Sequence, residues 1–203
     1  LAFVVPKFDL GIRGSKHDLP KSNHARIDRK GRVIALYDAG ISQPFDARVI
    51  PADAEESRWL APDHFPIRRI DWQSPADHPR GATLFLPGRG DAYKKYLETL
   101  AYWAGKGWHV TALDWRGQAG SGRFGNDHVT GHVTDFSVWI DDLAAFWSEW
   151  VKQVPGPHIL AGHSMGGHLV LRAVAEKKVA PDALILSAPM LGINTGGVPP
   201  WAA

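Results

Sequence analysis

Cysteine is absent from all 203 residues, which excludes a disulfide framework, a thiolate zinc site and a cysteine nucleophile. Charge of one sign is scarce as well. The balance of 23 Lys and Arg against 21 Asp and Glu leaves a net +2, with no electrostatic footprint for nucleic acid or for an anionic membrane. The basic excess sits in residues 1 to 42, which hold eight Lys and Arg against four Asp and Glu. No apolar run approaches the roughly 18 to 20 residues needed to cross a bilayer. The opening Leu1-Ala2-Phe3-Val4-Val5 is too short for a signal-peptide core and has no basic residue ahead of it. No export signal is read there, and a cytoplasmic location is expected. Methionine occurs only as Met165 and Met190, so a piece of a longer reading frame is expected.

What the chain does have is enough apolar content, 44%, for one full core. Residues 1 to 50 mix Pro, Gly, Lys, Asp and His without a sustained period, and are expected to form a flexible leader outside that core. From Ser57 the pattern changes. Ser57 to Leu60 and Ile67 to Trp72 read as strands of a hairpin around Pro62-Asp63-His64. Ala82 to Leu86 reads as a buried strand ended by Pro87-Gly88-Arg89-Gly90. Tyr93, Tyr96, Leu97, Leu100 and Ala104 then fall at helical spacing. Val110 to Trp115 is a further strand, and Arg116 to Gly122 a glycine-rich loop. Phe136, Trp139, Ile140, Leu143, Trp147 and Trp150 mark an amphipathic helix. Ile159 to Ala161 runs as a strand into Gly162-His163-Ser164-Met165-Gly166-Gly167, a helix follows, and Ala183 to Ala188 is a last strand. This alternation predicts an α/β architecture, a mostly parallel sheet with right-handed crossovers and helices on both faces. In such sheets chemistry gathers at the carboxyl ends of the strands, where the loops at 87–91, 115–122 and 162–166 lie.

Gly162-x-Ser164-x-Gly166 has the form of a nucleophile elbow, a tight strand-to-helix turn that lifts a serine hydroxyl clear of the sheet. The bare pattern is weak; its position between a buried strand and a helix makes it informative. Pro87-Gly88-Arg89-Gly90 follows the strand whose loop supplies one oxyanion amide in this architecture. The main-chain N–H groups of Arg89 and Met165 are therefore the candidate oxyanion donors.

Leu86-Pro87-Gly88-Arg89, Asp114-Trp115-Arg116-Gly117-Gln118, Ser121-Gly122-Arg123, Asp141-Asp142-Leu143-Ala144-Ala145-Phe146-Trp147, Gly162-His163-Ser164-Met165-Gly166-Gly167 and Ala188-Pro189-Met190-Leu191-Gly192 together resemble bacterial lysophospholipases and the related monoacylglycerol lipases. The resemblance spans roughly 55 to 193. It implies an α/β-hydrolase with a Ser-Asp-His triad, no metal or organic cofactor, a helical cap over an acyl-binding pocket, and a small-molecule acyl ester or lipid substrate; a transient membrane-surface contact, peripheral to the inner membrane, is a separate expectation that the residues themselves do not make legible. It also implies that residues 51–203 are the N-terminal part of that domain. Two departures stand out: Ala119-Gly120, where the family loop usually has glycine first, and Pro87, where many relatives have histidine.

The order Ser, then acid, then His finds no match after Ser164, where the only histidine is His168, one helical turn on, and Asp182 sits at the wrong end of its strand. The acid, the base, the cap and the last strands are expected beyond Ala203, and these residues alone are expected to turn over little or nothing. Peptide or small-ester hydrolysis on the same scaffold, and a fragment without catalysis, remain as alternatives. Oligomeric state is not legible. His163 is expected to pack away from Ser164. His109, His128, His132 and His158 lack paired ligand spacing. Asp141-Asp142 reads as the solvated or capping side of its helix, and the tryptophans as packing, with Trp115 able to line an acyl pocket.

Overall fold

The structure is a computed structural model that describes residues 2–6, 26–27, 33–34, 49–124 and 131–192. Its strands are β1 (Ala2–Pro6), β2 (Arg26–Ile27), β3 (Val33–Ile34), β4 (Ala54–Leu60), β5 (Pro66–Trp72), β6 (Ala82–Leu86), β7 (His109–Leu113), β8 (His158–His163) and β9 (Ala183–Ser187). Its α-helices are α1 (Leu97–Gly105), α2 (Phe136–Trp150) and α3 (Met165–Ala175). Two compact units divide the chain: residues 9–46, which contain the short antiparallel pair β2–β3, and residues 1–8 with 47–203, which hold everything else.

The larger unit is built on one sheet of seven strands in the order β1-β9-β8-β6-β7-β5-β4. The four central strands β9, β8, β6 and β7 pair in parallel; the β4–β5 hairpin continues the sheet antiparallel beyond β7. The hairpin turns at Pro62-Asp63-His64, where the Asp63 carboxylate accepts the Phe65 N–H at 3.1 Å and the His64 N–H donates to Ala61 at 2.7 Å. Most of the expected leader lies outside the described residues. Ala2–Pro6 does not, and here the structure differs from the expectation: this segment is a strand, antiparallel on the outer edge of β9. The edge of β9 offers unpaired main-chain groups, and an extended segment with β-branched residues satisfies them.

Alternation along the strands sorts the two faces. Ala82, Leu84 and Leu86 of β6, with Leu113, Leu160, Leu184 and Leu186, join one core with Trp139, Leu143, Phe146 and Trp147 of α2 and Leu169, Val170 and Ala173 of α3. Phe85 points the other way, against the rings of Tyr96 and Trp103 beside α1. Helices therefore cover both faces. Each large side chain fully buried there contributes about 1.5–3 kcal/mol of transfer free energy. Among the described residues no helix is long and apolar enough to cross a membrane.

Topology positions the site. From β6 the chain crosses through α1 to β7 on one side, then through α2 to β8 on the other, so the strand order reverses above β6 and β8. The register pairs Leu86 with Gly162, so the loops leaving β6 and β8 emerge side by side.

Candidate active site

Ser164 sits between β8 and α3 with φ 51° and ψ −118°, a left-handed backbone that a residue with a Cβ adopts only under constraint. The constraint is visible in its bonds. The Ser164 N–H donates to the Ser187 carbonyl at 3.0 Å, and its own carbonyl accepts the N–H groups of His168 at 3.1 Å and Met190 at 2.9 Å. Its side chain is half-buried, reachable from outside.

The two glycines of the motif are required by close approach. A Cβ on Gly166 would stand 2.3 Å from the Pro87 carbonyl oxygen and 2.5 Å from that of Leu86; one on Gly162 would stand 2.6 Å from the Gly166 oxygen. The helix can thus press its first turn against the end of β6 only because these side chains are missing.

The same closeness joins the second candidate element to the first: a Cβ built on Gly88 would be 3.2 Å from Ser164 Cβ. Arg89 follows directly and is exposed. As the first residue of α3, Met165 has no helical acceptor for its N–H, and the positive end of the helix lies there. The structure therefore brings Ser164, the Gly88–Arg89 segment and the start of α3 together.

The remaining candidates are placed otherwise. The His163 ring lies on Tyr96, with Nδ1 3.3 Å from Ser187 Oγ, and 3.6 Å separates Cδ2 from a Cβ on Gly88. His168 packs edge-on to Phe136. His109 accepts the Ser74 N–H and His158 lies between Val154, Trp147 and Trp150; His128 lies outside the described residues. Trp115 is 3% exposed, and its indole N–H donates to the Pro87 carbonyl at 2.8 Å.

Asp142 departs from expectation. Asp141 is on the solvated side and pairs with Lys178, but Asp142 is buried and takes Arg116 in two bonds of 2.6 and 2.7 Å. The same guanidinium reaches the hairpin turn, at 2.5 and 2.8 Å from the Asp63 carboxylate, and stacks over Phe65. Sequence reasoning missed this bridge, although a signal exists. Asp142 lies three residues after Trp139 and four before Phe146, on the face those two bury. Burial pushes the Asp142 carboxyl up while Arg116 pulls against it; the exposed Asp63 carboxyl is held down at about 2 by its hydrogen bonds to Arg116.

A parallel arrangement was also missed at Asp114, which has no exposed surface. It accepts the N–H groups of Tyr93 and Gly120, each at 2.9 Å, and Arg68 Nε at 2.7 Å. Burial pushes its carboxyl up, against those bonds.

Residues 77–203 match the family described as Serine aminopeptidase, S33. The chain belongs to this family. Lysophospholipase L2 of Escherichia coli (strain K12) is 38% identical over 143 residues, covering 68% of this chain and 41% of that protein. Monoacylglycerol lipase of Mycolicibacterium smegmatis is 30% identical over 130 residues, covering 64% and 45%. The chain thus spans less than half the length of these relatives. Among solved structures, a soluble variant of the monoglyceride lipase of Saccharomyces cerevisiae aligns with TM-score 0.52 at 17% identity, over 75% of this chain and 48% of that one. The α/β hydrolase GrgF from Penicillium sp. sh18 aligns with TM-score 0.51 at 20% identity, over 63% and 43%. These likenesses identify the fold of this family member as that of α/β hydrolases.

Proposed function

We propose that this chain carries the nucleophile side of a serine-dependent carboxylic ester hydrolase acting on lysophospholipid or monoacylglycerol. The observation that carries the reading is the strained Ser164, half-open to solvent, with Gly88 pressed against its Cβ and the first turn of α3 behind it. Ser164 Oγ attacks the ester carbonyl and gives its proton to a general base; the tetrahedral oxyanion is met by the Arg89 and Met165 amides. Collapse expels the alcohol, which takes the proton, and leaves an acyl-serine. Water then repeats the sequence and releases the fatty acid. A pair of fixed amides suits this charge development, since losing one donor typically costs about 3–4 kcal/mol of transition-state stabilisation.

The substrate class is supported by the names of the relatives, lysophospholipase L2 and monoacylglycerol lipase. Among the described residues, the two histidines beside Ser164 in sequence are engaged elsewhere, His163 with Ser187 and His168 with Phe136; a base and an acid supplied by a longer chain belong to this proposal. Amide hydrolysis is the second reading, favoured by the description of the matching family. The transient membrane-surface contact and cytoplasmic location expected from sequence belong to this proposal.

The test is labelling by a fluorophosphonate, with turnover of lysophosphatidylcholine, monoacylglycerol and an aminoacyl p-nitroanilide, in the full-length enzyme. Ser164→Ala is expected to abolish labelling and lower turnover by roughly 10⁴-fold or more. Equal labelling and turnover in both proteins would sink the reading, and a preference for the anilide would replace ester with amide chemistry. The 203-residue chain alone is expected to show little turnover.

A further inference from the structure

We propose that Trp115 and Gln118 are positioning residues that aim the Arg89 amide at Ser164, gripping the loop between them from both ends. The inference rests on the reading of Ser164 as nucleophile. The Trp115 indole N–H donates to the carbonyl of Pro87 at 2.8 Å, and the side-chain oxygen of Gln118 accepts the N–H of Gly90 at 2.6 Å. One bond ties the carbonyl just before Gly88-Arg89 and the other ties the amide just after. Between the two tied peptide planes lies only the Gly88–Arg89 plane, which carries the candidate oxyanion N–H. Gly166 closes the third side, since no side chain would fit between it and the Pro87 carbonyl.

The grip is itself rigid. Trp115 and Gln118 belong to a single turn closed by the Gln118 N–H on the Trp115 carbonyl at 3.0 Å. They are 3% and 1% exposed. The Trp115 ring packs on Trp139, whose indole donates to the Arg116 carbonyl at 2.9 Å, and Asp114 anchors the turn from below through Gly120. The orientation of the Gln118 amide is dictated by the Gly90 N–H, which needs an acceptor. Its Nε2 is then buried with no partner among the described residues. Such an orphan donor costs about 1–3 kcal/mol. The contribution of Gln118 is therefore its oxygen, delivered to the loop in a fixed place.

Fixed donors matter because an oxyanion hole acts through preorganisation: an amide that must first be turned into place offers less stabilisation when charge develops. Loosening either end of the loop is expected to act on the transition state and to leave ground-state binding alone.

The experiment uses the full-length enzyme with p-nitrophenyl butyrate as substrate and an alkyl trifluoromethyl ketone, whose serine adduct carries an oxyanion, as transition-state mimic. Trp115→Phe and Gln118→Met are expected to lower kcat roughly tenfold or more, with KM moving less than about twofold and ketone affinity falling in step with kcat. Gln118→Glu restores an acceptor oxygen at the same place and is expected to recover most of the loss. Thermal melting identifies variants that fold. Folded variants with unchanged kcat, or with kcat lost while ketone affinity holds, would overturn the proposal, as would a Gln118→Glu variant no better than Gln118→Met. Persistent turnover in Ser164→Ala would instead overturn the nucleophile reading beneath it.

Discussion

The bends at the carboxyl ends of β8 and β7 meet the same problem, a chain reversing in a crowded space, and distribute glycine differently. At 162–167 the glycines occupy the contact positions, and the residue forced to positive φ is Ser164. At 114–122 Gly120 occupies the contact position, where a Cβ would lie 2.0 Å from Arg68 Nε. Glycine takes positive-φ slots here as well, Gly117 at 74° and Gly122 at 81°, while Ala119 beside the contact takes 44°. Strain at the first bend accompanies a side chain proposed to react, whereas strain at the second accompanies a methyl group. Glycine in one slot reflects who is adjacent; a non-glycine in the strained slot reflects either use or tolerance.

The comparison breaks most severely at the contact glycines of the first bend. Gly166→Ala is expected to destabilise by about 3 kcal/mol or more, or to prevent folding, because the obstruction is the main chain of Leu86 and Pro87; denaturant titration measures it. Gly120→Ala is expected to cost about 1–3 kcal/mol, less because Arg68 is a side chain that can move, though its bonds to Asp114 resist. A double-mutant cycle with Arg68→Ala should show strong coupling, and additivity would refute the contact account.

At the strained slots, Ser164→Gly and Ala119→Gly are each expected to stabilise by about 1 kcal/mol, with only the first losing fluorophosphonate labelling. Equal melting temperatures for parent and variant would deny the strain. The smallest effect is at Asp63, whose carboxyl Arg116 holds at about 2, below the ordinary range. A depressed carboxyl stabilises the fold above its unfolded value of roughly 4, and the benefit fades as pH falls toward 2. With its side chain 60% exposed, the contribution is under about 1 kcal/mol. Asp63→Asn should flatten the stability curve between those two pH values, and a parallel curve would show the bond to be idle.

Legibility in the sequence followed the range of the interaction. Elements from β4 to β9 were readable because each declares itself over a few residues, and the strand-to-helix bend at Ser164 because glycine spacing and a flanking strand and helix are local signs. The Arg116 bridge was not read, since Asp63, Arg116 and Asp142 come from three elements and meet only when the hairpin folds over the sheet end. Asp142 was further disguised by Asp141 beside it, which does face water. The packing of Trp115 was legible from its place at a strand end, but its bond to the Pro87 carbonyl was not, because composition does not tell whether an indole N–H has found a carbonyl. Ala2–Pro6 escaped because its partner strand lies some 180 residues away.

The obstruction around Gly162 and Gly166 consists of carbonyl and amide atoms, while that around Gly120 is a guanidinium on a long stem. A genetic selection should feel this difference. Second-site suppressors of a Gly120 lesion can arise at codon 68, but a lesion at 162 or 166 has no neighbouring codon whose change removes the offending atoms, so revertants there should be same-site only.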